Sequence, residues 1–163
     1  MTNYAKSRIS NSKQIVVVAT QNQDLNREIA TIACDLAEIS GGKVSFLSVV
    51  APVNEAGLAA TAVPMGSFVA PVARDADQAI KDREALLAEL KADCDARIEV
   101  DIAVAYGLIE EVIGDYANEH NADVIVVGSP NRSWLEALFN PSTARSVTRT
   151  VSCPVLVVPE RVP

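Results

Sequence analysis

Five short apolar runs punctuate the chain, and the stretches between them return apolar residues every three or four positions. Ile15 to Ala19 is the first run and predicts a strand. Leu25, Ile29, Ile32, Leu36 and Ile39 follow at helical spacing, and Gly41 and Gly42 stand where that helix would stop. Val44 to Ala51 is a second strand. A helix from about Asp75 to Cys94 carries Ile80, Leu87 and Leu90 on one side, and Ile98 to Ala105 then alternates as a strand should. Gly107 introduces another helix, with Ile109, Val112, Ile113, Tyr116 and Ala117 as its apolar face, and Asn121 precedes the strand Val124 to Val127, which stops at Gly128. After a loop and a final helix, Val155 to Val158 lies between Pro154 and Pro159 and reads as a last strand. Regular alternation with right-handed crossovers predicts an α/β, three-layer sandwich around a five-stranded parallel sheet. Ligands of such sheets bind beyond the carboxyl ends of the strands, which draws attention to the loop after Gly128.

Composition agrees with a sheet covered on both faces: 49% of residues are hydrophobic and only 4% aromatic, so the core must be built from Val, Ile, Leu and Ala. The chain's 163 residues suit one domain, 13–163, preceded by a polar tail, 1–12. That tail lacks the apolar core of a signal peptide, and no apolar run approaches the roughly 20 residues needed to span a bilayer. A soluble cytoplasmic protein without membrane contact is the expectation. A net charge of 14 − 21 = −7 provides no basic field for phosphate backbones, which excludes nucleic acid as a partner. Cys34, Cys94 and Cys153 are odd in number and widely spaced, with no CxxC, so neither a disulfide framework nor a zinc site is indicated. The connection from Pro52 to Arg74 is long, apolar and aperiodic, and reads as a partly packed loop.

Catalytic groups are sparse. His120 is the only histidine and falls near a helix end, where a capping role suits it. Glu110 and Glu111 are adjacent and so point in different directions on a helix, which makes them solvated charge rather than an acid/base dyad. Gly42-Lys43 lacks the earlier glycine of a phosphate-binding Walker loop. No catalytic residue and no metal ligand is assigned, and the chain is read as a non-enzyme.

The segment DVIVVGSPNRSWLEALFNPSTARSVTRTVSCPVLVVP, residues 123–159, resembles the ATP-loop region of universal stress proteins. That family's signature is Gly, two residues, Gly, nine residues, Gly, then Ser or Thr, and the corresponding positions are Gly128, Asn131, Pro141 and Ser142. GLIEEVIGDYANEHNADVIVVGS is similar to the family's third helix and fourth strand, and the resemblance extends from about Gln14 to Val158. It implies a Rossmann-like fold with strand order 3-2-1-4-5 and a homodimer paired through the strand Val155 to Val158. It also implies a nucleotide site in which Gly128, Asn131, Ser142 and Thr143 hold phosphate and ribose while Ala19, Thr20 and Val50 line the base pocket.

Departures from the family pattern concentrate at that site. Ala19 and Thr20 stand where the family's first strand commonly ends in Val-Asp, so the carboxylate is absent. Asn131 fills space that a glycine leaves open. Pro141 removes a backbone N–H at the helix terminus that would cradle a phosphate, and Asn140 before it is a favoured N-cap, worth roughly 0.5–2 kcal/mol, with which a phosphate must compete. The reading is therefore a non-catalytic homodimeric stress-response or regulatory adaptor with weak or absent ATP binding, no required cofactor, and a protein partner. The alternative is an ATP- or AMP-binding sensor using the loop from Gly128 to Thr143.

Overall fold

The computed structural model describes residues 13–20, 22–50, 72–129 and 151–160. In chain order the elements are β1 (Gln14–Val18), α1 (Gln23–Ser40), β2 (Lys43–Val50), α2 (Val72–Asp93), β3 (Val100–Tyr106), α3 (Ile109–Glu119), β4 (Val124–Ser129) and β5 (Val155–Pro159). The strands form one sheet in the order β3-β2-β1-β4-β5, with every pairing parallel. The expected α/β architecture and strand order are those observed. The final helix expected before β5 lies outside the described residues.

The two-residue period of the strands divides the core into two layers. Ile15, Val17, Val44, Phe46 and Val126 face one side of the sheet, where α1 packs Leu25, Ile29, Ala30, Ala33 and Ala37, and α2 packs Leu87 and Leu90. Val16, Val18, Leu47, Ile125 and Val127 face the other, against Ile113 and Ala117 of α3. β1 is buried along its whole length because strands flank it on both sides and helices lie on both faces. Small residues dominate the buried stripe of α1, which lets that helix lie close to the sheet.

Two positions differ from the periodic reading. The helical spacing puts Ile39 on the apolar face of α1, yet it is 85% exposed. At about 100° per residue it stands roughly 200° around the helix from the buried Ala37, past the edge of the sheet-facing stripe. Ile109, at the first turn of α3, is likewise exposed. The loop that was expected to run to Arg74 ends sooner, since α2 already begins at Val72.

Gly41 stops α1 as expected. It has φ 63° and ψ 32°, and both it and Gly42 donate backbone N–H groups to the carbonyl of Ala37. Its side-chain position opens onto free space, so Gly41→Ala meets no clash and measures left-handed strain alone. Thermal or denaturant unfolding should register a loss of about 1 kcal/mol, and an unchanged midpoint would count against this account. At the other end of the sheet, Asp123 joins the starts of β1 and β4: its carboxylate accepts from the Gln14 N–H at 2.9 Å and faces the Lys13 ammonium at 3.4 Å, while its own N–H donates to the Gln14 carbonyl.

Candidate functional site

The carboxyl ends of β1, β2 and β4 lie side by side, and they bring Ala19, Thr20, Val50 and Gly128 to one edge of the sheet. The strand order reverses at β1, between β2 and β4, the place where open parallel sheets leave a crevice. Ala19 continues β1 by donating its N–H to the Leu47 carbonyl at 2.9 Å. Val50 ends β2, and its carbonyl accepts the Gly107 N–H at 3.1 Å. Gly128 packs against the start of α1, where an added Cβ would stand 2.8 Å from Leu25 Cδ2 and 3.3 Å from Thr20 Cγ2. Asn131, Ser142 and Thr143 lie outside the described residues.

Thr20 is the best-defined polar group at this edge, and its bonds are directed inward. Its N–H donates to Asn26 Oδ1 at 2.7 Å, its carbonyl accepts from Asn26 Nδ2 at 3.0 Å, and its hydroxyl lies 3.1 Å from the same Oδ1. The hydroxyl oxygen also accepts the Asn22 N–H at 3.1 Å. The guanidinium of Arg83, from α2, donates to the Thr20 carbonyl at 3.3 Å. A threonine hydroxyl has one proton, and here it faces both Asn26 Oδ1 and the Asn22 carbonyl. The side chain that replaces the expected carboxylate is thus occupied in closing the turn between β1 and α1.

Asn26 and Arg83 are the residues that sequence reasoning missed. Asn26 is fully buried, yet its place beside Leu25 gave no sign of this, because a polar residue in a helical first turn is ordinarily solvated. Arg83 was hidden among the charges of α2. The N-terminus of α1 is closed as well: Asn22 Oδ1 accepts the Leu25 N–H at 3.1 Å, and Asn22 Nδ2 donates to the Glu160 carboxylate at 2.7 Å. With Asp24 in the first turn, the local charge opposes an incoming anion at that helix end.

His120 caps α3, with Nδ1 2.9 Å from the Tyr116 carbonyl and its ring stacked on Tyr116 at 3.9 Å. Among the described residues no group of His, Cys, Asp and Glu is arranged to hold a metal ion, and no helix is long and apolar enough to cross a membrane.

A model of the universal stress protein family matches residues 13–159. The universal stress protein MJ0531 of Methanocaldococcus jannaschii is 27% identical over 145 residues, covering 88% of this chain and 80% of that protein. A universal stress protein crystallised in complex with cAMP superposes with a TM-score of 0.61 at 21% identity, over 92% of this chain and 99% of that one. One from Archaeoglobus fulgidus in complex with dAMP has a TM-score of 0.54 at 18% identity, over 89% and 96% of the respective chains.

Proposed function

Since the chain belongs to the universal stress protein family, whose model spans residues 13–159, we propose that it is a non-catalytic, homodimeric stress-response or regulatory adaptor that binds ATP weakly or not at all. The observation that carries this reading is the closed cluster at Thr20. Where the family pattern places a carboxylate able to orient a nucleotide, this chain has a hydroxyl and two backbone groups already satisfied by Asn22, Asn26 and Arg83. A nucleotide would have to break those bonds or do without them. Asn131 and Pro141 act in the same direction, through lost space and a lost N–H.

Calorimetry with ATP should give an affinity no tighter than roughly the high-micromolar range, about −6 kcal/mol. Thr20→Asp, Asn131→Gly and Pro141→Gly together should bind measurably more tightly. Mass spectrometry of the denatured protein, freshly purified, decides most directly: near one ATP per subunit would overturn the weak-binding reading. That same result would establish the second reading, a nucleotide sensor. The gathering of Ala19, Thr20, Val50 and Gly128 at the crevice favours the sensor, as do the cAMP and dAMP held by structural neighbours.

The dimer would form through β5. Among the described residues this strand is hydrogen-bonded on one side only, to β4, and it leaves Val155 42% and Leu156 40% exposed. The opposite edge, β3, carries the exposed Asp101, a charge that discourages self-pairing, whereas β5 has none. Pairing across a two-fold axis would cover the apolar side chains of both copies. Light scattering at micromolar concentration should report twice the subunit mass, and Leu156→Lys should halve it. A wild type that is monomeric, or a variant that remains dimeric, would exclude this interface.

A further inference from the structure

Cys34 and Cys94 are 60 residues apart in sequence, and the fold places their Sγ atoms 2.7 Å from each other. Cys34 lies on α1 and Cys94 directly follows α2, so the contact joins two separate elements. Both are half-buried thiols in the wall of an open cleft of about 470 Å³ that runs between α1 and the turn after α2. The turn is held beside α1 by Arg97, whose guanidinium meets Asp95 at 2.8 Å and Glu38 of α1 at 3.3 Å. A closing movement of about 0.7 Å would bring the sulfurs to the bonding distance of a disulfide, roughly 2.05 Å.

The geometry points to a reversible redox site: Cys34 and Cys94 form an intramolecular disulfide by exchange with a low-molecular-weight disulfide of the glutathione class. The Cys94 thiol loses its proton, and its sulfur attacks one sulfur of the small disulfide. That S–S bond breaks, a mixed disulfide forms on Cys94, and one small thiol leaves. Cys34 then gives up its proton and attacks the Cys94 sulfur, expelling the second small thiol. Two protein thiols are oxidised by two electrons, and one small disulfide is reduced to two thiols.

Cys94 acts first because the Cys34 thiol is held protonated. Burial, together with the hydrogen bond and charge of Cys94 and the charge of Asp35, pushes its pKa up to about 12. Once Cys94 carries the mixed disulfide, its negative charge no longer opposes ionisation of Cys34, which leaves burial and Asp35 as the remaining obstacles. Closure then needs only a short approach, because the second sulfur already lies against the first. The bond would tie α1, which supplies Asn26, to the end of α2, which supplies Arg83, so both helices that hold Thr20 would be joined.

The test uses the reduced full-length protein, exposed to oxidised glutathione, quenched with iodoacetamide and mapped by mass spectrometry. The expected product lacks two hydrogens, retains no glutathione at either site, and yields a Cys34–Cys94 linked peptide that dithiothreitol separates. Its thermal midpoint should rise by several degrees, and Cys34→Ser should instead trap one glutathione on Cys94 with no such rise. Full alkylation of Cys34 and Cys94 after oxidation, stable glutathione on both, or a link to Cys153 in their place would overturn the proposal. The wild-type map decides the matter even if the variant does not fold.

Discussion

Asn26→Ala should lower the free energy of unfolding by about 3 kcal/mol, measured by denaturant titration, although it replaces a polar residue on the first turn of a helix. Asn26 has no exposed surface, and its carboxamide oxygen and nitrogen both bond to the backbone of Thr20. Truncation removes those bonds and the contact with the Thr20 hydroxyl, strands the Thr20 N–H, and leaves a small void beneath the end of β1. A typical hydrogen bond contributes a net 0.5–1.5 kcal/mol, and a stranded donor adds its own desolvation cost. Asn22→Ala, which removes a partly buried cap from the same turn, should cost only about 1 kcal/mol. If the two variants prove equally mild, the buried cluster does not anchor the β1–α1 turn.

The second large effect is expected at Gly128. Gly128→Val should destabilise by about 2–3 kcal/mol, because the new Cβ would stand 2.8 and 2.9 Å from Cδ2 and Cγ of Leu25, a side chain only 2% exposed and unable to swing into solvent. Overpacking and cavity formation should then compensate. Leu25→Ala alone should cost about 2–4 kcal/mol, but Gly128→Ala combined with Leu25→Ala should cost less than the sum of the two single changes by about 1 kcal/mol. Strict additivity would show that Gly128 is not kept small by Leu25.

Gly128 also shows where sequence reading reached its limit. Its position at the end of β4 was legible from the β-branched run before it, and the family resemblance made it the first glycine of a phosphate loop. Close packing against α1 is a second and independent reason for a glycine there, and only the tertiary arrangement reveals it. Strands and helices were legible because their periods of two and about 3.6 residues are set by burial on one side, and the strand order came with the family resemblance. Asp123 illustrates the gain from structure: an aspartate just before β4 becomes the carboxylate that joins the starts of β1 and β4. The pairing of Cys34 with Cys94 was invisible, since their spacing carries no local signal. Thr20 was legible as an uncharged residue at the end of β1, but its bonding to Asn26 depends on a polar side chain pointing into the core, which periodicity assigns to apolar residues.

The central position of β1 has a consequence for the nascent chain. Its buried valines are synthesised before either strand that flanks them, yet the Gln14–Asp123 hydrogen bond that aligns β1 with β4 spans 109 residues. Until β4 has been synthesised, β1 can pair only with β2, and one of its edges and much of its apolar surface stay open. Ribosome-bound chains arrested before residue 124 should therefore engage holdase chaperones, and release should coincide with the emergence of β4. Protection of β1 would thus be needed until the chain has been made as far as β4.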